Sequence, residues 1–112
     1  MIESYSFGSI VIAGQRYSTD LKIIYGRVVP DWWRREGHSI CKEDISDVMA
    51  ARTEVFILGT GAYGAMKVPK AFKNLMDSHG IDLIAVPTDK AVKAYNELST
   101  QKNVAAGLHL TC

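Results

Sequence analysis

The densest chemistry in this chain lies in Gly59-Thr60-Gly61-Ala62-Tyr63-Gly64, which has the spacing G-x-G-x-x-G directly after the apolar run Val55-Phe56-Ile57-Leu58. In a dinucleotide fold that spacing makes a tight turn that brings backbone N–H groups to a pyrophosphate at a helix N-terminus. Three departures argue against a dinucleotide here. Pro69 puts the start of the next helix well past Gly64, whereas the fingerprint needs its third glycine inside the helix. A chain of 112 residues has room for one strand-helix-strand unit where two are needed. No acid is placed to hold a ribose, since Asp82 opens the next strand and Asp89 lies beyond its end. The phosphate loop of nucleoside triphosphatases fails more simply, because Ala65-Met66-Lys67 follows Gly64 in place of Gly-Lys-Ser/Thr.

Two readings of the turn remain. In one, the amides around Gly59, Gly61 and Gly64 face outward near a helix N-terminus, and the Thr60 hydroxyl and Lys67 ammonium complete a niche for a small anion. In the other, the glycines only permit a tight connection at the crowded carboxyl end of a buried strand. That end of a parallel strand is where open α/β sheets hold ligands.

Trp33, Arg34 and His38 form a second candidate group. They can wall such a niche or present a docking patch, since tryptophan and arginine dominate interface hot spots. Alternatively, one ring of Trp32-Trp33 plugs the core edge and the rest of the loop is solvated. His109 lies between Leu108 and Leu110, so alternation turns it to the opposite face, wet or hydrogen-bonded. The same alternation separates His109 from Cys112 and argues against a cysteine-histidine nucleophile pair. Cys41 and Cys112 have no C-x-x-C and no histidine at ligand spacing, so no metal site and no cofactor are expected.

The elements that position these residues follow from periodicity. Up to Val29, apolar and polar residues alternate around Gly8-Ser9, Gly14-Gln15 and Tyr25-Gly26, which predicts antiparallel hairpins with one wet face. Pro30 ends that pattern, and Asp31 to Ser39 reads as a loop. From about Ile40 a helix is predicted, with Ile45, Val48 and Met49 inward and Lys42, Glu43, Asp44 and Asp47 outward. The continuous runs at 55–58 and 83–86 predict strands covered on both faces. Between them a helix starts at Pro69, turns Phe72, Leu75 and Met76 inward, and ends at His79-Gly80. Thr88 is expected to cap a third helix with Ala91, Tyr95 and Leu98 buried, and a strand over about 104–110 completes the sheet. The expected architecture is one three-layer α/β domain over 1–112, with antiparallel N-terminal strands, a mixed sheet built on a parallel βαβ unit, and about three helices.

Composition narrows function. Thirteen basic and twelve acidic side chains give a net charge of +1, which provides no field for gathering a nucleic-acid backbone. No apolar run approaches the roughly 20 residues that a membrane helix requires. Met1-Ile2-Glu3-Ser4 has neither the basic nor the apolar region of a secretory leader, so a cytosolic protein with two reduced thiols is expected.

Several segments together carry a resemblance: Gly59-x-Gly61, Lys67-Val68-Pro69, His79-Gly80-Ile81-Asp82, Thr88-x-x-Ala91-Val92-Lys93-x-Tyr95-Asn96 and His109-x-Thr111-Cys112, with a looser match from Trp33-Arg34 to His38. On these the chain resembles the family of the adipogenesis-associated domain-containing protein and its small prokaryotic relatives, a domain shared with a mitochondrial complex I assembly factor. The resemblance implies a three-layer fold, no transferable catalytic residue, and an assembly role among relatives. The expected function is therefore a non-catalytic binding or assembly module whose partner is another protein. The alternative is a small-molecule enzyme or sensor that binds an anion at the glycine-rich turn. Self-association through the strands of the first sheet is compatible with either.

Overall fold

Alternating strands need a second layer on their apolar face only, whereas continuously apolar strands need one on each face. The computed structural model, which describes residues 1–112, meets both needs with three layers. Strands β1 (Ile2–Ser6), β2 (Ser9–Ile12) and β3 (Gln15–Tyr17) form a small antiparallel sheet. The next hairpin, β4 (Leu21–Ile24) and β5 (Arg27–Val29), leaves that sheet and joins a central one with β6 (Val55–Thr60), β7 (Asp82–Val86) and β8 (Val104–His109). The central order is β5-β4-β8-β6-β7, with β6 parallel to both β7 and β8 and β4 antiparallel to β8.

Strand β6 shows how the period of two divides the core. Its Val55 and Ile57 point into one apolar cluster with Ile10, Ile12 and Tyr95, under the small sheet and helix α3 (Thr88–Leu98). Its Phe56 and Leu58 point into the other, under helices α1 (Ser46–Ala50) and α2 (Lys70–Ser78). All six residues of β6 are buried, as its continuous apolar run predicts.

Four local expectations are corrected. Strand β7 is not covered on both faces: it is the outer strand of the sheet, and Asp82 and Ala85 are exposed. The helix expected from Ile40 opens as a 3-10 turn over Lys42–Ile45 and only then becomes α1. Within that turn Asp44 is buried and not solvated, because its carboxylate folds back to accept the N–H groups of Cys41 at 2.9 Å and Arg35 at 3.0 Å. Thr88 does not cap α3 but is its first residue, and its hydroxyl is engaged elsewhere.

Of the two tryptophans, Trp32 is the plug. It is 5% exposed, and its indole N–H donates to the Asp44 carbonyl at 2.9 Å. The ring lies flat enough on β8 that a Cβ at Gly107 would sit 2.7 Å from Trp32 Cη2 and 3.1 Å from Phe56 Cζ. Only a residue without a side chain fits there, because both neighbours are rigid rings in a packed core. Gly107→Ala is therefore expected to destabilise the protein by about 1–3 kcal/mol. A urea titration followed by circular dichroism measures this, and the loss should shrink in a Trp32→Leu background, where the added methyl has space.

Candidate functional site

The carboxyl ends of β6 and β8 lie side by side, with Thr60 paired to His109. Because β4 runs antiparallel to β8 with Leu21 opposite Leu108, Asp20 arrives at that same end. Its Oδ1 accepts the Leu110 N–H at 2.8 Å, and its Oδ2 lies 2.7 Å from both His109 Nδ1 and Arg34 Nη2. The Asp20 carbonyl accepts the Trp32 N–H at 2.8 Å, which anchors the loop carrying Arg34. Arg34 then stacks its guanidinium 4.7 Å above the Trp32 ring and donates to the Gly37 carbonyl at 2.9 Å. The side chains of Arg34 and His109 are 4% and 8% exposed.

A carboxylate oxygen at 2.7 Å assigns the imidazole proton to His109 Nδ1. Arg34 Nη2, 3.2 Å from that nitrogen, is then a second donor drawn to the same carboxylate and not a partner of the ring. Three buried nitrogens are left without a partner: His109 Nε2, Arg34 Nε and Arg34 Nη1. Burial pushes the Asp20 carboxyl up, but hydrogen bonds from His109, the Leu110 N–H and Arg34 outweigh it, so the group titrates below its ordinary 3.8.

The glycine-rich turn lies across the same strand ends, and most of its amides are committed within the chain, those of Tyr63 and Ala65 excepted. Gly61 N–H donates to Thr88 Oγ1 at 3.0 Å, and that hydroxyl donates in turn to the His109 carbonyl at 2.6 Å. Ala62, Gly64, Met66 and Lys67 donate to the carbonyls of Thr111, Gly61, Thr60 and His38. Gly61 has φ +103°, and a Cβ there would lie 2.7 Å from the Thr111 carbonyl oxygen. The tight connection therefore accounts for Gly61, and Gly59 packs against Thr88 in the same way.

The residues singled out from the sequence thus divide three ways. Arg34 and His38 come together with His109, the two imidazoles meeting edge to face with centroids 6.0 Å apart. Gly59, Thr60, Gly61 and Gly64 form the turn beside them, Thr60 being buried and Lys67 exposed. Trp33 points away and is 83% exposed, on a groove of about 320 Å³ shared with Lys22, Val29 and Pro30. Asp20 had no sequence signal, being one polar residue between Thr19 and Leu21 whose partner His109 is 89 residues away. Alternation had turned His109 away from its leucine neighbours, and the structure supplies the hydrogen-bonded version of that placement.

Chemically, a carboxylate on Nδ1 with Nε2 unbonded is the orientation of a general base. Here Nε2 is sealed and touches no hydroxyl or thiol, so the group acts as an ionic clamp between two strands and a loop. Because the folded pKa of Asp20 is depressed, its contribution to stability is present above pH 3.8 and is lost as pH falls through the lower folded value. Asp20→Asn is expected to cost about 3–5 kcal/mol at neutral pH by leaving Arg34 buried without its counter-charge. Guanidinium titrations across pH should show that gap closing only below the ordinary carboxylate range.

The same architecture is found in solved proteins. The conserved hypothetical protein PH1505 from Pyrococcus horikoshii aligns over 100% of this chain and 99% of its own, at 28% identity and a TM-score of 0.85. A protein named MT938 aligns over 100% and 98%, at 28% identity and a TM-score of 0.80. A Bordetella pertussis protein described as a Mth938-like domain shares the fold at 20% identity and a TM-score of 0.67, over 97% of this chain and 84% of its own. With residues 2–109 matched by its model, the chain belongs to the family described as protein of unknown function DUF498/DUF598.

Proposed function

We propose that this chain is a non-catalytic binding domain that docks another protein through exposed aromatic side chains. The observation that carries the reading is Trp33, a tryptophan 83% exposed next to the buried Trp32 and Arg34. Tyr63 and Phe7, 78% and 57% exposed with ring centroids 6.3 Å apart, make a second aromatic surface beside the glycine turn. Large aromatic rings left in water are a feature of interface hot spots. The ionic cluster offers no competing site for chemistry, since its free base is enclosed. The resemblance to the adipogenesis-associated relatives and the complex I assembly factor supports an assembly role. This reading keeps the chain in the cytosol, where Cys41 and Cys112 stay reduced thiols, and no helix is long and apolar enough to cross a membrane.

A second reading, an anionic ligand held by Arg34 and His38 with Thr60 and Lys67 nearby, is favoured by the two unpartnered guanidinium nitrogens of a nearly buried arginine. The two readings separate in one experiment. Immobilised protein should enrich a defined partner from the native host, and Trp33→Ala should lower its affinity by roughly 30-fold, as expected for a hot spot of about 2 kcal/mol. If Trp33→Ala and Tyr63→Ala capture the same partner as well as the parent chain, docking through these rings is wrong. Shifts confined to Arg34 Nε and the His38 and His109 rings on titration with phosphate or small carboxylates would support the anion instead.

A further inference from the structure

The central sheet ends on β7, whose outer edge is bare. Asp82 N–H donates inward to the Glu54 carbonyl at 3.0 Å, and β7 stays in register with β6 from Val55 opposite Asp82 to Gly59 opposite Val86. Strand alternation then turns the backbone groups of Asp82, Ile84 and Val86 toward β6, and those of Leu83 and Ala85 outward. The edge reads Asp82-Leu83-Ile84-Ala85-Val86, five residues with a charge only at the first and no proline, lysine or bulge within the strand. The other edges are defended: β5 is three residues long and starts on Arg27, β3 is Gln15-Arg16-Tyr17, and at β1 the Asn96 amide holds both the N–H and the carbonyl of Ile2.

Helix α2 runs alongside this edge and carries complementary charge. Lys73, Asn74 and Asp77 are exposed and line a groove of about 550 Å³ with Asp82, Leu83 and Ala85. Lys73 also lies beside Val86, at the carboxyl end of β7, while Asp77 lies toward Ile81 and Asp82 at its start. Neither Lys73 nor Asp77 has a salt-bridge partner in its own chain.

We propose that β7 pairs antiparallel with β7 of a second copy of this chain, about a two-fold axis at Ile84, joining the two five-stranded sheets into one. In that register Leu83 exchanges both backbone hydrogen bonds with the Ala85 backbone of the other copy, and the reverse pair repeats them, so every outward group at these two residues is satisfied. The axis at Ile84 also falls between the levels of Lys73 and Asp77. Each Lys73 therefore meets the other copy's Asp77, twice by symmetry. The surface excludes Trp33 but borders Tyr63, which shares a groove with Lys73, Ala85 and Val86, so Trp33→Ala tests the docking function without touching this edge.

Sedimentation velocity over a concentration series tests the pairing, with hydrogen exchange read at the Leu83 and Ala85 amides. The parent chain should dimerise reversibly, and those two amides should gain protection as the dimer fills. Ala85→Pro removes an outward N–H and no bond to β6, and should weaken dimerisation at least about tenfold with the circular dichroism spectrum unchanged. Lys73→Asp sets like charges against each other and should also weaken the dimer, while adding Asp77→Lys should restore it. A chain that stays monomeric throughout overturns the proposal. So does a dimer that survives Ala85→Pro, or a charge reversal that restores nothing in the double variant.

Discussion

One acidic residue holds together the sheet end where β4, β8 and the loop at 31–39 meet. Asp20 accepts from the Leu110 backbone, His109 and Arg34 with its side chain, and from Trp32 with its own carbonyl. Those four bonds tie the entry to β4, the exit of β8 and the loop over both. Trp32 then packs on Gly107 and Phe56, with Arg34 stacked on its outer face, so the second apolar cluster is closed by a residue whose position depends on Asp20. A charged group in such a place stabilises only while its partners are present, because an uncompensated charge in a low-dielectric interior costs several kcal/mol.

The glycine-rich turn owes its composition to the same crowding. The chain has to cross the ends of β6 and β8 beneath its own C-terminal residues, and Thr88 reaches in from α3 to bridge the Gly61 amide and the His109 carbonyl. Glycine spacing that resembles a cofactor fingerprint arises here from steric need, with the amides of Gly61, Ala62, Gly64 and Met66 turned to internal carbonyls and a hydroxyl. What survives of the ligand question has moved from those amides to the neighbouring guanidinium and imidazole, whose unpartnered nitrogens are unusual for buried groups.

Much of the architecture was legible because it rests on local periodicity. The hairpins around Gly8, Gly14 and Gly26, the buried run of β6, the inward stripe of Phe72 and Met76, and the helix end at Gly80 each depend on neighbours within a few residues. Strand β7 misled because four apolar residues in a row read the same whether a strand is interior or at an edge; sheet order is a property of pairing, not of the strand's own composition. Asp44 misled in the opposite direction, since a carboxylate on a charged helix face gives no sign that it folds back onto two amides.

By itself, then, the sequence determined the three-layer α/β class, the βαβ unit and the loop at 31–39, all of which follow from hydrophobic period and turn chemistry. Only the tertiary structure decided that Trp32 is the plug and Trp33 the exposed ring, that Arg34 and His38 meet His109, and that Asp20 is the common partner of Arg34 and His109. The physical reason is range. Periodicity records what each segment buries, while the hydrogen bond between Asp20 and His109 exists only once antiparallel β4 has been laid against β8 in the register that sets Leu21 opposite Leu108.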